Sequence, residues 1–242
     1  LTDFNADGVL DMFSGTNTGF TLRLGKGDGT FGGAASIATG FTTYDRIAGD
    51  FNGDQKLDVV LSYGTDTYRT YFGNGDGTFK TGSALSGLAI GSNHSEVADI
   101  NGDGKQDFVR ASGTALETYL SNGDGSFKLS STALVTNTIF SDTTLGDFDG
   151  NGTLDAVVTS GASGSVFLLN GDGSGGFGPS SKVADFSTFY WATSVDKGDF
   201  NGDGLLDFVA TAAQDSSVRV MLNQGNGTFA QSARVAFGGT SI

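Results

Sequence analysis

The stretch "DFNGDGLLD", Asp199 to Asp207, packs three carboxylates and one side-chain amide into nine residues. Carboxylates this close repel one another, so they must stay in water or be neutralised by a cation. Their oxygens fall at positions 1, 3, 5 and 9. Alternate placement turns successive oxygens towards one point, glycine at position 6 permits a sharp bend, and position 7 can add a backbone carbonyl. A set of hard oxygens without histidine or cysteine suits Ca²⁺ over zinc or copper. Mg²⁺ fits less well, because it wants few protein ligands in a near-ideal octahedron.

The arrangement occurs five times. The ligands expected are Asp3, Asn5, Asp7, Val9 and Asp11; Asp50, Asn52, Asp54, Lys56 and Asp58; Asp99, Asn101, Asp103, Lys105 and Asp107; Asp147, Asp149, Asn151, Thr153 and Asp155; and Asp199, Asn201, Asp203, Leu205 and Asp207. Val9, Lys56, Lys105, Thr153 and Leu205 would contribute through their carbonyls. The second loop has Gln55 where glycine is expected, so weaker binding is expected there. An EF-hand would need a bidentate glutamate at position 12, where this chain has Ser14, Leu61, Arg110, Val158 and Ala210. These loops hold 15 of the 27 acidic residues, so five calcium ions would offset most of the formal charge of -14.

What must hold the loops is a repeated unit. The five loops start 47 to 52 residues apart, and about 20 residues after each comes a glycine-rich turn closed by Phe31, Phe79, Phe127, Phe177 or Phe229. Short apolar or alternating runs such as "DVVLSYG" and "VRVML" flank both landmarks and read as strands. Asp-Gly and Asn-Gly pairs are strong hairpin signals. No helical period is sustained. Four short antiparallel strands per unit of this length is a β-propeller blade. The expectation is therefore all-β: a single domain over residues 1–242, a five-bladed β-propeller of four-stranded antiparallel blades with loops at 3–11, 50–58, 99–107, 147–155 and 199–207. Only Leu1 and Thr2 precede the first loop, so residues 236–242 are expected to complete the first blade and close the ring. A cut from a larger ring or parent chain is the competing reading.

The units resemble FG-GAP repeats, the calcium-looped blades of integrin α-subunit propellers and of many secreted bacterial and fungal proteins. The "DFNGDGLLDF" loop and "GDGTF" turns match, as do "FGGA" at Phe31 and "FGP" at Phe177. The resemblance spans the chain and implies a propeller with up to five calcium ions, mainly structural. It also implies kinship with propeller lectins and adhesion domains. Integrin propellers have seven blades, and five repeats depart from that.

Composition narrows the function classes. Strong negative charge argues against nucleic acid and anionic membrane surfaces, and no apolar run is long enough to span a bilayer. There is no cysteine and a single histidine, so triad or thiol catalysis has almost nothing to draw on. The acids outside the landmarks are scattered over different units rather than paired as a glycosidase requires. The chain opens inside a repeat without methionine, which reads as a mature or trimmed chain. Calcium at useful concentration exists outside cells, so an extracellular or cell-surface home is expected.

The segments that vary between repeats lie, by strand alternation, at the end opposite the acidic loops, and there function is expected. They carry Tyr44, Arg46, Tyr63, Tyr68, Arg69, Asn93, His94, Glu96, Tyr190 and Trp191. Aromatic rings beside amide, acid and guanidinium groups suit a sugar. The reading is a binding module for a glycan. The alternative is a structural or adhesion subunit that contacts extracellular protein or self-associates. A lyase or hydrolase using Tyr44 or His94 is the least favoured.

Overall fold

The computed structural model describes residues 1–40, 43–63, 67–85, 95–135, 139–186, 192–212 and 216–236. The chain is all-β. Five antiparallel sheets follow one another in sequence order. The first contains β1 (Met12–Thr16), β2 (Gly19–Gly25) and β3 (Phe31–Ala38). The second contains β4 (Thr43–Gly49), β5 (Asp58–Tyr63), β6 (Thr67–Gly73) and β7 (Phe79–Leu85). The third is β8 (Ser95–Ala98), β9 (Asp107–Ser112), β10 (Ala115–Ser121) and β11 (Phe127–Leu134). The fourth is β12 (Phe140–Gly146), β13 (Asp155–Ser160), β14 (Ser165–Gly171) and β15 (Phe177–Asp185). The fifth is β16 (Ala192–Gly198), β17 (Asp207–Ala212), β18 (Ser217–Asn223) and β19 (Phe229–Ala236). In each four-stranded sheet the strands lie in chain order, the up-and-down plan of a propeller blade.

In the four-stranded sheets the acidic loop joins the first to the second strand and the glycine turn joins the third to the fourth; in the first sheet the loop precedes β1 and the turn joins β2 to β3. Antiparallel alternation therefore puts both landmarks at one end of the sheet. The first sheet has three strands among the described residues, with Thr2 bridging Asp11 where a first strand would run. Of the residues expected to complete it, Ala236 belongs to β19, paired with Ser217, and the others lie outside the described residues.

Packing divides the chain into two compact units. One is Leu1–Gly91 with Asp103–Asp107 and Leu120–Leu129; the other is Ser92–Gly102, Phe108–Tyr119 and Ser130–Ile242. In the first, Phe4, Phe20 and Leu22 interlock with Val59, Leu61 and Tyr71. Phe20 meets Tyr71 and Phe79 edge to face at 5.6 and 5.3 Å, a preferred aromatic geometry. In the second unit, Val109, Ala111 and Leu116 pack on Ala156, Val158 and Leu169. Val157, Val166 and Leu168 then pack on Phe208, Ala210 and Met221. Strand alternation explains this: odd and even positions of one strand serve the two neighbouring blades.

The landmark phenylalanines have a second use. The residue at loop position 2 of one blade receives the turn phenylalanine of the next: Phe4 with Phe79 at 5.8 Å, Phe51 with Phe127 at 5.1 Å, and Phe148 with Phe229 at 6.1 Å. Ile100 and Phe177 share one cluster in the same way.

Among the described residues, two charged side chains outside the acidic loops are buried. Arg110 is fully buried and ion-paired with Glu117, to which the Tyr119 hydroxyl also donates at 2.9 Å. Asp142, 6% exposed, accepts hydrogen bonds from Ser194 Oγ at 2.8 Å and Val195 N at 3.0 Å. It thereby ties β12 to β16.

Candidate metal loops and the variable end

Each loop is organised by its own carboxylates. At position 1, Asp50 accepts from the amides of Gly53, Asp54 and Gln55, and Asp199 from those of Gly202, Asp203 and Gly204. Asp147 does the same for Gly150, Asn151 and Gly152. Positions 3 and 5 each accept from the amide two residues on, as in Asp54 N to Asn52 Oδ1 at 2.9 Å and Leu205 N to Asp203 Oδ1 at 2.9 Å. These bonds fold the loop around a point, with positions 4 and 6 in the left-handed region. Gly152 has φ of 86° and Gln55 reaches 65°. The second loop thus makes the same bend without glycine, at a strain of roughly 1 kcal/mol.

Position 9 is different. Asp11, Asp58, Asp107, Asp155 and Asp207 are all 0% exposed. One oxygen accepts from the position 2 amide: Phe4 to Asp11, Phe51 to Asp58, Phe148 to Asp155 and Phe200 to Asp207, at 2.7 to 3.1 Å. The other accepts from the amide that ends the third strand, from Gly25, Gly73, Ser121, Gly171 or Asn223, at 2.8 to 2.9 Å. The sequence marked these aspartates as ligands. The structure shows that they also lock the acidic loop to the start of the glycine turn.

The electrostatics follow burial. Desolvation raises Asp58 to about 6, against the opposing amides of Gly73 and Phe51 and with help from Asp54 and Asp50. Desolvation also raises Asp155, with a contribution from Asp149. Asp199, at the rim, is lowered, first by the Gly204 amide. In the turns, hydrogen bonds from Thr30, Thr78 and Ser126 lower Asp28, Asp76 and Asp124, and those from Ser174 and Gly176 lower Asp172. Carboxylates whose ionisation is opposed first by burial and then by neighbouring carboxylates are what a cation would relieve.

The residues fit such an ion. In the fourth loop, one carboxylate oxygen each from Asp147, Asp149 and Asp155 lies within 4.8 Å of the others. With Asn151 and the Thr153 carbonyl, the residues of this loop offer only oxygen donors, the chemistry that would suit a hard divalent cation. The third loop places Lys105 Nζ 2.8 Å from Asp103 Oδ2 on the surface, a weak pair that an ion at that carboxylate would displace. Neighbouring loops also touch. Gln106, at position 8 of the third loop, accepts the Asp50 amide of the second at 2.6 Å, and Gly125 N donates to Phe51 O at 2.9 Å.

At the other end the expected ligand residues scatter. Asn93, His94, Tyr190 and Trp191 lie outside the described residues, as do the side chains of Tyr44 and Tyr63. Arg46 is exposed, but in β4 rather than in a loop, and Glu96 sits half-buried in β8. Tyr63, Tyr68 and Arg69, expected in a variable connecting segment, belong to strands: β5 runs to Tyr63 and β6 resumes at Thr67. Tyr68 pairs with Ser62 and Leu85 and is 3% exposed, so its ring is a packing element and offers no face to a ligand. Arg69 is half-buried in the same strand. What the described part of this end does contain is a cleft of about 330 Å³ lined by Ile139, Ser141, Gly161 and Ala162. It lies where the chain enters β12 and where β13 turns into β14, with Gly161 N donating to Ile139 O at 3.0 Å. Small residues at 161 and 162 leave it open, a signal too common in sequence to be noticed.

Antiparallel four-stranded blades with an oxygen-lined loop at one end define a β-propeller of acidic-loop repeats. The chain belongs to the FG-GAP-like repeat family, whose model matches residues 3–61, 50–110, 99–158, 147–210 and 199–242. No curated protein matches it in sequence. Among solved structures it is similar to an Agrocybe aegerita lectin specific for non-reducing terminal N-acetylglucosamine, with 25% identity and a TM-score of 0.70. The match covers 98% of this chain and 64% of the lectin, so the chain spans less than two thirds of that protein. The Vibrio cholerae biofilm matrix protein Bap1 shares the fold at 15% identity and a TM-score of 0.51, over 98% of this chain and 38% of Bap1. A Photorhabdus luminescens Tc holotoxin does so at 18% identity and a TM-score of 0.51, over 98% and 12%.

Proposed function

We propose that this chain is an extracellular, calcium-stabilised binding module whose ligand is a carbohydrate. The observation that carries the reading is the likeness to the N-acetylglucosamine-specific lectin over 98% of the chain at a TM-score of 0.70. Calcium is supported by the donor set of the five loops and by the clustered oxygens of Asp147, Asp149 and Asp155. An extracellular home follows from the weak affinity usual for such modules, with Kd about 10⁻⁴ to 10⁻³ M, which only extracellular calcium satisfies. The ions would act on stability. At tenfold excess over Kd, one site adds about 1.4 kcal/mol.

The cleft at Ile139, Ser141, Gly161 and Ala162 is the seat we assign to a sugar ring. Its volume falls in the range of small-ligand sites. Its walls are mostly apolar, suited to the C–H face of a pyranose, and the Ser141 hydroxyl can meet a ring hydroxyl. The test is a glycan array probed with the folded protein in millimolar calcium, beside an Ala162→Trp variant that fills the cleft. Binding to a defined glycan class that the variant loses supports the reading and the seat. Binding that survives Ala162→Trp keeps the lectin reading and moves the seat. Silence from a calcium-loaded, folded protein rejects carbohydrate and turns attention to protein contact.

A further inference from the structure

The sequence holds eight Asn-Gly pairs, a dipeptide able to modify itself without an enzyme. Glycine has no Cβ to crowd its own nitrogen. Once that nitrogen gives its proton to water, it can attack the asparagine Cγ. The new N–Cγ bond closes a five-membered succinimide while the Cγ–Nδ2 bond breaks and ammonia departs. Water then opens the ring, leaving aspartate if it adds at Cγ, or isoaspartate if it adds at the main-chain carbonyl. The fold governs the rate in three ways. The glycine N–H must be free, Nδ2 must be free to leave, and donors at Oδ1 stabilise the negative charge that develops there.

Six of the pairs are held by hydrogen bonds. At Asn52, Asn151 and Asn201 the glycine amide donates to the first carboxylate of the loop, at 2.7 to 2.9 Å. At Asn170 it donates to the buried Asp155 at 2.9 Å, and at Asn122 to Ser121 Oγ at 3.1 Å. At Asn74 the leaving nitrogen is held, donating to Thr78 Oγ1 at 2.8 Å. A seventh, Asn101, sits at the same loop position as Asn52 and is engaged as well.

Asn226 is different. It sits in the turn between β18 and β19, where Gln224 N donates to Thr228 O at 2.9 Å and Gly227 takes a φ of 70°. Among the described residues, neither its Nδ2 nor the Gly227 amide finds an acceptor. Its Oδ1, by contrast, accepts from Thr228 N at 3.2 Å and from Thr228 Oγ1 at 2.5 Å. Nucleophile and leaving group are free, and the donors for the developing charge are in place. The bonds that hold the six other pairs are each made inside one blade. The difference therefore belongs to the fifth turn itself and not to anything beyond it.

The other turns show what the product would do. At the position of Asn226 they have Asp28, Asp76, Asp124 and Asp172. Each carboxylate accepts from the amide and the hydroxyl of the residue two further on, at 2.5 to 2.9 Å, the contacts that Asn226 already makes. Those bonds lower all four carboxyls, so the position favours an ionised side chain. Isoaspartate would instead put an extra carbon into the main chain between Gln224 and Thr228, whose hydrogen bond closes the turn.

We propose that Asn226 is a self-modification site: its amide is lost through a succinimide with Gly227, and the aspartate formed gives the fifth turn the carboxylate of the other four.

The purified chain, aged in warm neutral buffer made with heavy-oxygen water, tests this by peptide mass spectrometry. Ring opening writes a heavy oxygen into each peptide that has reacted. Asn226 should lose its amide at least roughly tenfold faster than any other Asn-Gly pair, about the factor that one held hydrogen bond is worth. The rate should rise with pH, because the attacking amide must give up its proton. Thr228→Val, which keeps the main-chain donor and removes the hydroxyl, should slow the loss several-fold, with circular dichroism to check its fold. In denaturant the preference for Asn226 should vanish. Asn226→Asp, the product standard, should melt no lower than the fresh protein. Loss that begins at another pair overturns the proposal, as does a preference for Asn226 that persists unchanged in denaturant. A rate unmoved by Thr228→Val overturns the part given to the hydroxyl. An isoaspartate product, or an Asn226→Asp chain that melts lower, overturns the restored turn.

Discussion

The position 9 aspartates invite a direct test, with Asp155→Ala as the perturbation. Asp155 is fully buried and accepts amides from Phe148 at 2.9 Å, Gly171 at 2.9 Å and Asp149 at 3.2 Å. Truncation leaves at least the Phe148 and Gly171 donors without a partner. Each such loss costs about 1 to 3 kcal/mol, so two give about 2 to 6. The raised pKa of Asp155 shows that its amides do not fully offset burial of the charge, and removing that charge returns part of the loss. We expect about 3 kcal/mol, which for a chain of this size is a fall in Tm of roughly 6 to 12 °C. The loss should be present in chelator, because the latch needs no ion. Asp149→Asn, at the rim, should cost under about 1 kcal/mol in chelator. In tenfold excess calcium it should forfeit one site's increment, about 1.4 kcal/mol. Thermal unfolding followed by near-UV circular dichroism, with chelator and with calcium, separates the two roles. If Asp155→Ala in chelator melts within about 2 °C of the wild type, the carboxylate does not hold the loop and the reasoning fails.

Three other outcomes follow from the same geometry. Asp58 titrates at about 6 when folded and near 3.8 when unfolded, so the folded, metal-free protein holds the extra proton between those values. Its stability in chelator should therefore rise as pH falls from 7 towards 5. Over that window the gain is at most about 1.4 kcal/mol and smaller after solvent screening, and calcium affinity should weaken over the same window. Chemical denaturation at pH 7.5 and 5.5, with calcium titrations beside it, reads both, and a flat profile contradicts the assignment. Gln106→Leu introduces the residue found at position 8 of the other four loops and removes the acceptor of the Asp50 amide. It should lower stability in chelator by about 1 kcal/mol, and an unchanged urea midpoint would count against the link between loops. Asp142→Ala should cost about 2 to 4 kcal/mol through its two orphaned donors on β16. Asp142→Asn, which keeps one acceptor, should cost less, and equal losses would argue against hydrogen bonding as the cause.

Much of this protein is written in its sequence. Repetition of "DFNGDGLLD" and of the glycine turns determined the blade count, because a recurring pattern of turns and alternating strands can be satisfied only by recurring antiparallel sheets. The alternate oxygens around a bend, the donor set from which calcium is proposed, were legible because that pattern is local to nine residues. What the sequence left open depends on distant residues. It could not show that Asp11, Asp58, Asp107, Asp155 and Asp207 are buried latches, because their amide donors come from the ends of other strands. Nor could it separate Tyr68, a packed ring, from an exposed aromatic, because a two-residue period carries no label for which face is covered. Asp142 looked like one scattered acid and proved to join two blades 52 residues apart in sequence. Phe200 reads as equivalent to Phe51 and Phe148, and only tertiary packing sets it apart, since burial belongs to what lies opposite a residue and not to the residue itself.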